Sequence, residues 1–222
     1  MYVGREMSIR LFLSNQNWRR RMFRFVTLPG IGGSSDDHWQ SHWERMDNRF
    51  GRFSPSDWEE PELDDWLASL EKAVRASPGP VVLVAHSLAC LLVVHAAEKL
   101  KSRIAGAFLV AVPDPDSVAF PAEAASFRDV PALELPFPAL IVASTDDPFG
   151  TTAHARRRAE RWGASLVIAG QLGHINAASG LAQWPAGRAL LDSFCGLLPA
   201  SREGRGLLRA GDGPWLGADV RT

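Results

Sequence analysis

The segment Val81-Val82-Leu83-Val84-Ala85-His86-Ser87-Leu88-Ala89-Cys90 constrains the fold more than any other part of the chain. A β-branched, aliphatic run passes directly into an apolar stretch that reaches about Lys101, so a buried strand has to turn sharply into a helix at Ser87. In so tight a turn the two backbones approach closely, and the positions two before and two after the serine must be small. Both are alanine, Ala85 and Ala89. The pattern small-x-Ser-x-small lifts a serine hydroxyl above the carboxyl edge of a sheet.

The rest of the chain alternates in the same way. Residues 23–28 read as a first strand, followed by the loop Pro29-Gly30-Ile31-Gly32-Gly33-Ser34-Ser35 and a helix over 38–46. A short strand at 49–54 precedes a helix at 61–76, where Leu63, Trp66, Leu67, Leu70 and Val74 fall at helical spacing. Further strands are expected at 104–112, 139–143 and 166–169, with helices at 152–162 and 185–197. Residues 116–138 are proline-rich, and 114–137 would form a short cap. Near-continuous apolar strands call for a parallel sheet covered on both faces. The expected fold class is therefore α/β, a three-layer α/β/α sandwich with a mainly parallel sheet and no large lid domain.

A length of 222 residues suits one domain with a single sizeable core. We assign it to residues 23–199, between a flexible extension at 1–22 and a flexible tail at 200–222. The arginine-containing start lacks the continuous apolar run of a signal peptide, and no stretch reaches transmembrane length. A formal net charge of -1 provides no global field for nucleic acid or an anionic membrane, so the expected partner is a small-molecule substrate. Two cysteines, Cys90 and Cys195, have neither knuckle nor disulfide spacing and read as buried free thiols, which suits a reducing cytoplasm. Oligomeric state leaves no trace in the sequence.

Two later motifs each follow a buried strand: Ser144-Thr145-Asp146-Asp147-Pro148-Phe149 and Gly173-His174-Ile175-Asn176. In an open parallel sheet the loops beyond the strands' carboxyl ends converge at one edge, which brings Ser87, an aspartate and His174 within reach of one another. A serine hydroxyl is a poor nucleophile until a base takes its proton, and His174 is placed to do so. A carboxylate would then fix the imidazole tautomer and stabilise its charged form. Asp146 and Asp147 are neighbours, and Asp114 and Asp116 follow an earlier strand. Asp147 is preferred, with Asp146 as a turn or capping residue. The developing oxyanion needs backbone donors, for which Leu88, directly after the serine, and Ile31 in the glycine-rich loop are the candidates, and Gly30 beside them is a candidate substrate-binding residue.

Competing readings are weaker. The glycine-rich loop lacks the Gly-Lys-Ser/Thr ending of a phosphate-binding loop and departs from Gly-x-Gly-x-x-Gly. His38 and His42 stand four apart beside Asp36, Asp37 and Glu44, but Trp39 and Trp43 share that spacing, so a packing face is expected and no metal site. His86 reads as structural, and His95 and His154 as ordinary helix residues. The tryptophans are expected in packing, with Trp39 near the glycine-rich loop as a candidate wall of a substrate pocket.

Taken together, Leu28-Pro29-Gly30-Ile31-Gly32-Gly33-Ser34 with His38-Trp39, Ala85-His86-Ser87-Leu88-Ala89-Cys90, and the two downstream motifs resemble the small serine hydrolases of the α/β-hydrolase fold that include retinoblastoma-binding protein nine and the bacterial YdeN-like proteins. The resemblance spans about residues 24–198. It implies a nucleophile, acid and base at Ser87, Asp147 and His174, and so favours the second aspartate. It also implies an esterase-like hydrolase of esters, thioesters or amides that needs no cofactor. The family more often carries glycine where this chain has Ala85, which keeps open a catalytically weak binding or regulatory protein on the same fold. No Leu-x-Cys-x-Glu motif surrounds either cysteine, so a pocket-protein partner is not implied.

Overall fold

The computed structural model describes residues 23–199; the expected extension at 1–22 and tail at 200–222 lie outside the described residues. Six parallel strands form one sheet: β1 (Arg24–Leu28), β2 (Phe50–Arg52), β3 (Val81–His86), β4 (Ile104–Val110), β5 (Ala139–Ala143) and β6 (Ser165–Ile168), in the order β2-β1-β3-β4-β5-β6. Four α-helices lie between strands, α1 (Trp39–Met46), α2 (Leu63–Ala76), α3 (Ala89–Leu100) and α4 (Thr152–Trp162), and a fifth, α5 (Pro185–Leu197), follows β6 among the described residues.

Strand periodicity of two divides the sheet into two apolar faces. Val81, Leu83 and Ala85 face one layer with Leu109 and Ile141, and they pack against α2, α3 and α4 through Trp66, Leu70, Leu91, Ala155 and Trp162. Val82 and Val84 face the other with Phe108 and Val142, against α1 and α5 through Trp39, Trp43, Leu191 and Phe194. The three-layer sandwich is thus the observed architecture. Each fully buried aliphatic side chain contributes about 1.5–3 kcal/mol, so the central strands give the site a rigid base.

Local chemistry sets the element ends. Thr151 caps α4, its hydroxyl accepting the His154 N–H at 3.1 Å, and Gly163 ends that helix at φ 63°. Pro185 opens α5 at a position where its missing N–H costs nothing. Helix α3 is buried on nearly every side, as its unbroken apolar sequence requires. β4 stops at Val110, two residues earlier than expected, because Ala111 turns into the left-handed region at φ 57°.

The proline-rich segment holds one short 3-10 helix, Ala122–Phe127. Arg128 staples it: its guanidinium donates to the Pro115 carbonyl at 2.6 Å and lies 4.8 Å from the Phe120 ring centroid. No helix among the described residues is long and apolar enough to cross a membrane.

Candidate active site

Ser87 stands between β3 and α3 with φ 54°, the strained conformation that a sharp strand-to-helix turn imposes. Its own N–H donates to the Val110 carbonyl at 2.9 Å and its carbonyl accepts from the Cys90 N–H at 2.9 Å, so both sides of the turn are fixed. Ala85 and Ala89 are wholly buried beneath it. Ala85 keeps regular pairing with Leu28 on β1 and Leu109 on β4, so its methyl group fits without disturbing the strand.

His174 Nε2 lies 2.8 Å from Ser87 Oγ, and His174 Nδ1 lies 2.9 and 3.0 Å from the two carboxylate oxygens of Asp147. With Nδ1–H donating to Asp147, Nε2 is the acceptor for the serine hydroxyl. The Asp147 side chain is 2% exposed and also accepts the Phe149 N–H at 2.9 Å. Asp146 is exposed and performs a different task. It accepts from the Gly173 N–H at 2.8 Å and from Ser144 Oγ at 2.6 Å, and these bonds, Ser144 first, hold its carboxyl below the usual range. The neighbouring carboxylates therefore orient the histidine in two ways, one at the ring and one at the backbone.

The loop carrying His174 is itself strained. Gly173 and Ile175 both have positive φ, 55° and 49°. For a β-branched residue that conformation costs on the order of 1–3 kcal/mol and persists only where its surroundings enforce it. Ile175 is completely buried, and its carbonyl accepts the Trp39 Nε1–H at 2.8 Å.

That bond corrects one expectation. Trp39 is 1% exposed and does not line the cavity, because its indole turns inward to Ile175, Trp43 and Trp184. Gly30, expected to bind substrate, likewise stands behind Ser87 instead of on the cavity wall. A Cβ placed there would come within 2.8 Å of Ser87 Cβ, so only glycine permits the close approach.

The two candidate oxyanion donors face a common space. Gly32 N–H is committed to the Trp58 carbonyl at 2.9 Å and Gly33 N–H to the Gly30 carbonyl at 3.1 Å. The N–H groups of Ile31 and Leu88 have no acceptor among the described residues, and both residues line the cavity over Ser87. Gln40, fully buried, ties the ends of β1 and β3 together through its amide, which donates to Leu28 O at 3.2 Å and Val84 O at 2.9 Å. It also accepts from Ser34 Oγ at 2.6 Å and so anchors the glycine-rich loop. A glutamine on an amphipathic helix gives no sequence signal of such a role.

The cavity measures about 520 Å³. Its walls are mainly apolar, with Leu88, Pro113, Phe120 and Phe149 prominent, and no lysine, arginine, aspartate or glutamate lines it. His38 and His86 complete the floor. His38 Nδ1 caps α1 by accepting the Gln40 N–H at 3.2 Å, and its buried Nε2 has no partner among the described residues. Burial, then the charges of Arg52 and His174, push the His38 ring down to about 3, while burial first and His174 next push His86 well below its ordinary value. Both rings are therefore neutral. Burial also raises both cysteine thiols, Cys195 to about 12, so neither is a nucleophile at neutral pH.

Of the residues weighed as a metal cluster, Glu44 takes the Thr27 hydroxyl and pairs with Arg52, and Asp36 pairs with Arg45; Trp39 and Trp43 pack with ring centroids 4.6 Å apart, tilted by 58°, on the buried face of α1. Phe149, Phe120 and Asn176 were not anticipated as cavity residues. Asn176 lies two residues after His174 and Phe149 two after Asp147, both inside the two downstream motifs, and Phe120 falls within the expected cap.

A family model described as serine hydrolase matches residues 25–193. Among solved structures, a protein described as a YdeN-like hydrolase from Pectobacterium atrosepticum is 32% identical, with 87% of this chain and 100% of that chain covered and a TM-score of 0.71. The ydeN gene product of B. subtilis is 21% identical over 78% of this chain and 98% of its own, with a TM-score of 0.65. An esterase domain from Rhodothermus marinus shares the fold at 14% identity, 79% and 87% coverage and a TM-score of 0.60. No curated protein matches the chain.

Proposed function

Because this chain belongs to the serine hydrolase family, we propose that it cleaves an ester, thioester or amide of a small uncharged molecule through an acyl-Ser87 intermediate, with carboxylesterase as its most accessible activity. The single observation that carries this reading is the continuous contact from Ser87 Oγ through the His174 ring to the Asp147 carboxylate, at 2.8 and 2.9 Å.

In this mechanism Ser87 Oγ attacks the carbonyl carbon as His174 Nε2 takes the hydroxyl proton. Asp147 stabilises the resulting imidazolium without taking its proton. Negative charge on the former carbonyl oxygen is met by the N–H groups of Ile31 and Leu88, each donor contributing roughly 10²–10³ in rate. The imidazolium then protonates the departing alcohol, thiol or amine. Water, deprotonated by the same ring, releases the acid and restores the serine.

An apolar cavity without ionised side chains favours an uncharged acyl group over a carboxylate- or ammonium-bearing one, because an unpaired charge there would lose its hydration. Two buried, unpaired cysteines suit a reducing cytoplasm. Turnover of short-chain p-nitrophenyl esters tests the proposal. Hydrolysis that disappears in Ser87→Ala supports it, and hydrolysis retained in that variant refutes it.

A further inference from the structure

The loop that carries His174 is gripped from beneath at two consecutive carbonyl groups. His86 Nε2 lies 2.9 Å from the carbonyl oxygen of His174, and Trp39 Nε1–H donates to the next carbonyl, that of Ile175, at 2.8 Å. A carbonyl can only accept, so the His86 ring carries a proton on Nε2 and donates it. Both donors are buried, at 5% and 1% exposure, and their rings meet edge to face at 6.2 Å. Neither side chain hydrogen-bonds to the Ser87 hydroxyl or the Asp147 carboxylate.

The grip acts where the backbone is least able to hold itself. His174 is flanked by two left-handed residues, one of them the β-branched Ile175, a conformation that has to be imposed from outside. The two donors also come from the two elements that build the rest of the site. His86 ends β3 and immediately precedes Ser87, while Trp39 begins α1, just beyond the glycine-rich loop. The grip thus ties the base to the nucleophile turn and to the oxyanion loop at once.

We propose that His86 and Trp39 are positioning residues, a two-point clamp on the carbonyls of His174 and Ile175 that holds the imidazole in line between Ser87 and Asp147. The inference rests on the acyl-Ser87 reading above. The neutrality of His86 serves the same end: when His174 takes the serine proton, no second positive charge stands beside it.

The test compares His86→Gln with His86→Met. The two replacements are similar in length, but only glutamine keeps an N–H to offer the carbonyl. Each folded variant, verified by its melting curve, is assayed with p-nitrophenyl acetate, and the far-downfield proton resonance of His174 Nδ1–H is recorded. The methionine variant is expected to lose kcat by roughly ten- to a hundredfold and to broaden the resonance, the scale of a misplaced catalytic group. The glutamine variant recovers most of both, while KM moves alike in the two. Equal kcat in the two variants, or an unaltered resonance in the methionine variant, overturns the clamp. Should His86→Met not fold, Trp39→Phe takes its place: reduced kcat with a broadened resonance supports the clamp, and unchanged values overturn it. Wild-type protein that fails to label at Ser87 with a fluorophosphonate marks failure of the underlying reading, which is distinguishable from failure of the clamp alone.

Discussion

Gly30 packs directly behind Ser87: a Cβ on Gly30 would lie 2.8 Å from Ser87 Cβ and 3.3 Å from the His86 carbonyl oxygen. Both neighbours belong to a turn fixed by backbone hydrogen bonds on either side, so neither can retreat freely. The glycine-rich loop is therefore seated against Ser87 by contact, and the contact admits no side chain.

Gly30→Ala is expected to destabilise the protein by about 1–3 kcal/mol through overpacking and to lower esterase activity at the same time. Gly51 on β2, with nothing within 4 Å of a Cβ, supplies the control, and Gly51→Ala should leave both unchanged. Urea unfolding and ester turnover of the two variants give the comparison. Equal behaviour would show that the close approach at Gly30 does not matter.

The neighbouring aspartates make separable predictions. In the proposed mechanism Asp147→Asn removes the charge that stabilises the imidazolium, and it is expected to cost on the order of 10³–10⁴ in kcat. Asp146→Asn keeps an oxygen for the Gly173 N–H and Ser144 Oγ, so its kcat should stay near that of the wild type. A larger loss in Asp146→Asn than in Asp147→Asn would reverse the assignment.

Acid sensitivity should trace partly to His38. Its folded ring is pushed from 6.5 down to about 3, so between those values the unfolded chain binds a proton that the folded one does not. The associated stability is present in full above about pH 6.5 and is lost as pH falls toward 3, at up to about 1.4 kcal/mol per pH unit. His38→Asn retains an oxygen to cap α1 and should flatten that fall by about one proton. Urea midpoints measured from neutral pH downwards check this, and superimposable slopes in the two proteins would contradict it.

Much of this arrangement is legible in the sequence because it follows from strand periodicity. Val81 to Ala85 and Leu140 to Ala143 announce buried parallel strands, and residues placed just past such strands meet at one edge. Ser87, His174 and the pair Asp146-Asp147 could be named for that reason, and the family resemblance favoured Asp147 within the pair. Direction is another matter. Proximity to the glycine-rich loop suggested that Trp39 looks into the cavity, yet the indole turns away to a carbonyl 136 residues downstream. No local pattern encodes so distant a partner. The same holds for Gln40, whose amide spans two strand ends, and for Arg128, which orders a proline-rich segment that has little periodicity of its own.

The most direct test of the account is the mass of the protein after reaction with a fluorophosphonate probe, with the modified peptide mapped. A single adduct on Ser87 of the wild type, absent from Ser87→Ala and slowed in Asp147→Asn, is the predicted result. Equal labelling of wild type and Ser87→Ala would contradict the assignment of Ser87 as the nucleophile.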